Sequence, residues 1–175
     1  MENATPFILA YGPVIILSGT VVVVLTTIVI QIINHRYLRR ARTIEFLLGS
    51  EQKDCTLPAN LSAKVTGDGF LNLTKNDKDG WNALAKMMNA YEGLACATRE
   101  GIFDPKVVKS LMGPSMSTTY LMVYPMVAKR RIRRKFPELW TDVEHLAYGW
   151  MTVSQRRSFE ELRKLAMNSA DPNDP

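Results

Sequence analysis

Residues 7–33 contain no charged side chain, and this apolar run is followed at once by His35-Arg36-Tyr37-Leu38-Arg39-Arg40-Ala41-Arg42. A helix rises about 1.5 Å per residue, so the run is about 40 Å long against about 30 Å of bilayer hydrocarbon. The pattern predicts a transmembrane helix. In lipid every backbone group must be satisfied within the segment, so even the β-branched residues 21–24 are expected to be helical. Leu38, Ile44, Leu47 and Leu48, interleaved with charge, extend the helix as a juxtamembrane stalk that ends at Gly49-Ser50.

Residues 51–80 are rich in Asp, Asn, Gly, Lys and Ser, which is turn chemistry. They read as a polar connector with at most a short helix near residues 61–64. From Trp81 the period changes: Trp81, Leu84, Ala85, Met88, Tyr91, Glu92, Ala95 and Cys96 fall at i, i+3, i+4, i+7 spacing and predict an amphipathic helix ending at Gly101. Asp104-Pro105 reads as an N-cap followed by Pro at the first helical position, where no hydrogen bond is lost. Gly113-Pro114-Ser115 is expected to end that short helix and open a third over 116–136, kinked at Pro125. Pro137 then opens a fourth helix, and Ser158 with Glu161 has the spacing of a capping box that starts a fifth. No strand alternation of useful length occurs.

The expected fold class is therefore all-α: one N-terminal transmembrane helix continuing into a stalk, then a cytoplasmic domain of four to five helices. The organisation reads as an external N-terminus at 1–6, the span at 7–33, a basic stalk at 34–50, the connector at 51–80, the helical domain at 81–169 and a tail at 170–175.

Charge sets the expected orientation. Lys and Arg accumulate in cytoplasmic flanks, and Arg36, Arg39, Arg40 and Arg42 follow the span while no Lys or Arg precedes it. The N-terminus is expected outside and the domain in the cytoplasm. A basic n-region is lacking and the apolar run exceeds a signal-peptide core, so cleavage is not expected. Gly12, Gly19 and Thr26 recur every seven residues and present small side chains near one helix face, a packing seam for another membrane protein or a second copy. The net charge of +5 is dominated by the four stalk arginines, so nucleic acid is not expected as a partner. Cys55 and Cys96 fall in the expected cytoplasmic part, where a structural disulfide is disfavoured.

Three features invite chemistry. Glu92 shares a face with Met88, Tyr91 and Ala95, and a carboxylate drawn out of water needs a partner. A cation from the run Lys129-Arg130-Arg131-Ile132-Arg133-Arg134-Lys135, with Arg130 and Arg134 on one side of a helix, is the nearest supply. Asn89, Tyr91 and Glu92 are expected to form a structural polar core. The basic run itself has three readings: pairing with acids of the domain, contact with anionic headgroups, or binding of phosphates in nucleic acid. His35 and His145 stand apart, no zinc-ligand spacing exists, and phosphate-loop, nucleophile-elbow and dinucleotide motifs are missing. No metal, cofactor or catalytic residue is expected.

Asn89-Ala90-Tyr91-Glu92, Ala95, Arg99-Glu100-Gly101-Ile102-Phe103-Asp104, Tyr124-Pro125 with Arg130-Arg131, and Leu146-Ala147-Tyr148-Gly149-Trp150 follow in an order that resembles a widespread family. Residues 42–48 resemble the family's juxtamembrane segment, and the resemblance covers about residues 35–152. The family comprises bacterial single-span membrane proteins with a small helical cytoplasmic domain of unknown function. The resemblance implies an α-helical domain centred on the motif helix and hands no catalytic role to any residue. The expectation is a membrane-tethered, non-enzymatic interaction or regulatory module of a bacterial inner membrane. A phage-encoded or defence-related membrane factor, and an enzyme using Glu92 in a pocket, are the alternatives.

Overall fold

The computed structural model describes residues 5–49 and 55–168, with side chains over 19–49 and 55–166. All described elements are helices: α1 Thr5–Leu48, α2 Ala59–Ser62, α3 Lys78–Arg99, α4 Pro105–Arg134, α5 Thr141–Trp150 and α6 Val153–Asn168. Among the described residues the β structure is limited to one isolated bridge, Val65 with Leu71. The chain divides between Ala41 and Arg42 into two compact units.

The first unit, residues 1–41, holds the apolar part of α1 and the arginines at 36, 39 and 40. Among the described residues, the stretch Gly19–Leu48 is the one helix long and apolar enough to cross a membrane. Large aliphatic side chains line it, Val21 to Val24, Leu25, Ile28 to Ile30, Ile32 and Ile33 all being exposed. Thr26 and Thr27 turn their hydroxyls back to the carbonyls of Val22 (2.8 Å) and Val23 (2.9 Å). Both hydroxyl hydrogens are thereby satisfied within the helix itself. Gly19 opens onto empty space. The side chain position of Gly12 lies outside the described residues, so the seam Gly12, Gly19, Thr26 is described only at its last two members.

The second unit begins inside α1. Thr43 is buried and accepts a hydrogen bond from the Asp104 amide at 2.9 Å, Phe46 meets Phe103 at 4.8 Å between ring centres, and Leu47 is fully covered. Asp104 in turn accepts from the Lys106 amide as the N-cap of α4, with Pro105 at the first helical position, as its sequence predicts. Leu84, Met87, Met88, Tyr91 and Leu94 of α3 form the core with Met116, Tyr120, Val123 and Val127 of α4, Val143 and Ala147 of α5, and Phe159 of α6. The short α5 lies against both α3 and α4, and α6 lies against α4.

Four expectations are corrected. The segment 51–80 is not a connector outside the domain where it is described: Cys55, Leu61, Leu71 and Leu73 are buried in the same core. Its loop is stitched to α4, the Leu71 amide donating to the Met122 carbonyl (3.0 Å) and the Leu73 amide meeting Met126 Sδ (3.3 Å). Helix α3 starts at Lys78, capped by Asp77, which accepts from the Gly80 amide and pairs with Lys64 at 2.5 Å. A side chain at position 80 would collide with that carboxylate and with Leu73. Lys64 holds the Asp77 carboxyl below its usual range.

Gly113-Pro114-Ser115 does not interrupt α4, which runs unbroken from Pro105 to Arg134 with both prolines inside it. Each proline removes one helical hydrogen bond, but packing overrides the break. Gly113 sits under the Trp150 ring, and Ser117 donates to the Gly113 carbonyl at 2.7 Å. Pro137 does not open a helix, because the chain turns through Lys135 and Trp140, the two non-glycine residues with positive φ among those described. The final helix starts at Val153 rather than at Ser158. Its reciprocal cap is Thr152 with Gln155: the Gln155 amide donates to Thr152 Oγ1 (3.3 Å) and the Thr152 amide to Gln155 Oε1 (2.9 Å).

Candidate functional site

Residues separated widely in sequence converge where α3, α4 and the start of α5 meet. The first turn of any helix has amide hydrogens without helical partners, and α5 has no side-chain cap of its own, Trp140 standing at its N-cap with φ 59°. Glu92 of α3 supplies that cap from another helix. One carboxylate oxygen accepts from the Asp142 amide at 3.2 Å and the other from the Val143 amide at 2.9 Å. A turn earlier on the same face, Asn89 Oδ1 accepts from the Trp140 indole at 2.8 Å. Two turns later, Arg99 pairs with Asp142. Positions 89, 92 and 99 of α3 thus form one rail that holds the beginning of α5.

The expected partner of Glu92 is thereby corrected. Its carboxylate meets helix amides, not a guanidinium, and the helix dipole supplies the positive end that a cation was expected to provide. Arg130 instead lies between two rings, its guanidinium carbon 5.6 Å from the Trp81 centre and 5.7 Å from the Trp140 centre, and it donates to the Trp81 carbonyl at 3.4 Å.

Arg131 organises the turn between α4 and α5. It donates to the carbonyls of Leu139 (2.8 Å) and Trp140 (3.4 Å) and pairs with Glu144 at 2.5 Å. Glu144 also accepts from the Tyr120 hydroxyl at 3.0 Å. Both charged side chains are largely buried, 15% and 13% exposed. Burial first, and the adjacent Glu144 second, hold the Tyr120 phenol well above its ordinary pKa. Tyr91 is fully buried, and burial pushes its pKa up to about 12 against the opposing effect of Thr119 and Ser115 beside its hydroxyl, neither of which completes a well-formed hydrogen bond to it.

The structure therefore splits the basic run. Arg130 and Arg131 are built into the corner, whereas Lys129, Arg133, Arg134 and Lys135 are exposed and none pairs with an acid among the described residues. On α1, Arg36, Arg40 and Arg42 are exposed and Arg39 is partly covered. The Arg131–Glu144–Tyr120 set was not foreseen from the sequence. Its one visible signal is Glu144 itself, an acid one turn into a helix on a face that also carries apolar residues.

Chemically, the corner is a fixing device. Both Glu92 oxygens are held by amides, and Glu144 is held by Arg131 and Tyr120. Among the described residues no group of His, Cys, Asp and Glu is arranged to hold a metal ion. A family model described as a domain of unknown function, DUF4760, matches residues 13–150, from within α1 to the last residue of α5. No curated protein and no solved structure matches the chain.

Proposed function

This chain belongs to the DUF4760 family, a domain of unknown function, and we propose that it is a membrane-tethered, non-enzymatic interaction or regulatory module of a bacterial inner membrane. In this reading α1 spans the bilayer, the N-terminus faces outward and the helical domain faces the cytoplasm. The observation that supports it best is the continuity of α1. The same helix carries exposed aliphatic side chains over 21–33, four arginines beyond them, and then Thr43 and Leu47, which are built into the core of the second unit. A chain with that order is suited to presenting a folded domain at a membrane surface. The polar corner gives that domain a rigid frame, since its charged groups are spent on holding α5 in place.

The arginines carry the orientation, because cations on one flank resist transfer across the bilayer. A reporter that works only in the cytoplasm, fused after Pro175, should be active, and one that works only after export should be silent. Replacing Arg36, Arg39, Arg40 and Arg42 together by Asn should give both orientations in comparable amounts. A wild-type fusion active only with the exported reporter would overturn the reading.

A further inference from the structure

The end of α4 combines two features that the corner does not use. Ile132 and Phe136 are 45% and 51% exposed. Ile132 lies in the last turn of α4, one turn after Lys129 and next to Arg133, and Phe136 is the second residue past the helix end. Arg134 and Lys135 flank them, so two bare apolar side chains stand among four exposed cations. The chain reverses there: the Lys135 amide donates to the Ile132 carbonyl and the Phe136 amide to the Arg131 carbonyl, with Lys135 left-handed at φ 52°. This is the paired closure of a Schellman ending, and it fixes Phe136 beside the last turn of α4.

We infer that this tip is a second membrane contact, in which Lys129, Arg133, Arg134 and Lys135 meet anionic headgroups while Ile132 and Phe136 enter between them. Cations near an anionic surface are each attracted by about fivefold in partitioning, and exposed apolar side chains find in the interfacial region the apolar surroundings that water denies them. An acidic protein surface would satisfy the cations but would give no reason for the apolar pair to stand at their centre. The inference rests on α1 being a membrane anchor, which keeps the domain at high effective concentration near the lipid.

The full chain, reconstituted into vesicles, tests it. A spin label is placed at the exposed Glu138 by Glu138→Cys in a Cys96→Ser background, beside the tip but outside it. Flotation with vesicles of phosphatidylcholine alone and of phosphatidylcholine mixed with phosphatidylglycerol reports the anchor; the label's accessibility to oxygen against a water-soluble nickel chelate reports the tip. The chain should float with both compositions. The label should be shielded from the chelate only in anionic vesicles, and the shielding should be lost at about 1 M salt, where charges are screened beyond about 3 Å. Ile132→Ser with Phe136→Ser should abolish the shielding without affecting flotation. Replacing Lys129, Arg133 and Lys135 by Gln should lower tip partitioning about a hundredfold. Flotation with a label equally accessible to the chelate in both compositions overturns the inference alone; failure to float overturns the anchor reading.

Discussion

Replacing Arg131 by alanine is expected to lower the unfolding free energy by about 3–5 kcal/mol, the cost of leaving a buried charge without its partner. The substitution strands Glu144 and the carbonyls of Leu139 and Trp140, all of which Arg131 serves. It also leaves the Tyr120 hydroxyl as the remaining described donor to that carboxylate. Urea unfolding of the full chain in detergent, followed by near-ultraviolet dichroism, measures the loss. The pair is worth far less than either single substitution suggests, because taking both charges out of water is itself costly. Arg131→Met combined with Glu144→Leu should therefore recover more than half of the loss. A single substitution costing under about 1 kcal/mol, the range of exposed pairs, would mean that water reaches this ion pair.

Glu92→Ala should cost about 2 kcal/mol, the upper part of the range for losing a helix cap, since two amides lose their acceptor together. Glu92→Gln should cost about 1 kcal/mol, keeping an acceptor but losing the charge that the helix N-terminus attracts. Hydrogen exchange discriminates this account from a general loss of packing. The amides of Asp142 and Val143 should lose protection selectively in Glu92→Ala, while amides in the middle of α4 follow only the global change. Unaltered protection at these two amides would contradict the assignment of Glu92 as the cap of α5.

Where one local signal dominated, the sequence was readable. The uncharged run at 7–33, the Asp104-Pro105 helix start and the 3.6-residue period of α3 each rest on the chemistry of neighbouring residues, and each appears in the structure as expected. Thr152-Val153-Ser154-Gln155 and Ser158-Phe159-Glu160-Glu161 satisfy the same capping pattern. The first is the one used, directly after Met151 leaves α5 in an extended conformation at ψ 144°. Prolines 114 and 125 are strong local breakers, yet the contacts of α4 with Trp150 and with the 71–73 loop hold it in one piece.

The corner was half visible. Periodicity placed Glu92 on a face where it needed a partner, and that need was real. The partner came from the backbone of α5, which no pattern of side chains encodes. Likewise, six basic residues within seven look equivalent in sequence, although Arg130 and Arg131 turn toward Trp81, Trp140 and Glu144 and the rest stay outside. That division depends on where α5 crosses α4, a long-range fact.

The proposed function requires that α1 stay in the chain and lie within the bilayer. A long apolar helix near an N-terminus has the same appearance in an anchor and in a leader that is removed, and the two differ in what remains in the membrane. The direct measurement is an alkaline carbonate wash of membranes from cells expressing the full chain with a C-terminal tag, followed by the intact mass of the tagged protein. The account predicts that the tagged protein stays in the pellet and that its mass includes residues 7–33. Release into the wash, or a mass lacking those residues, would contradict it.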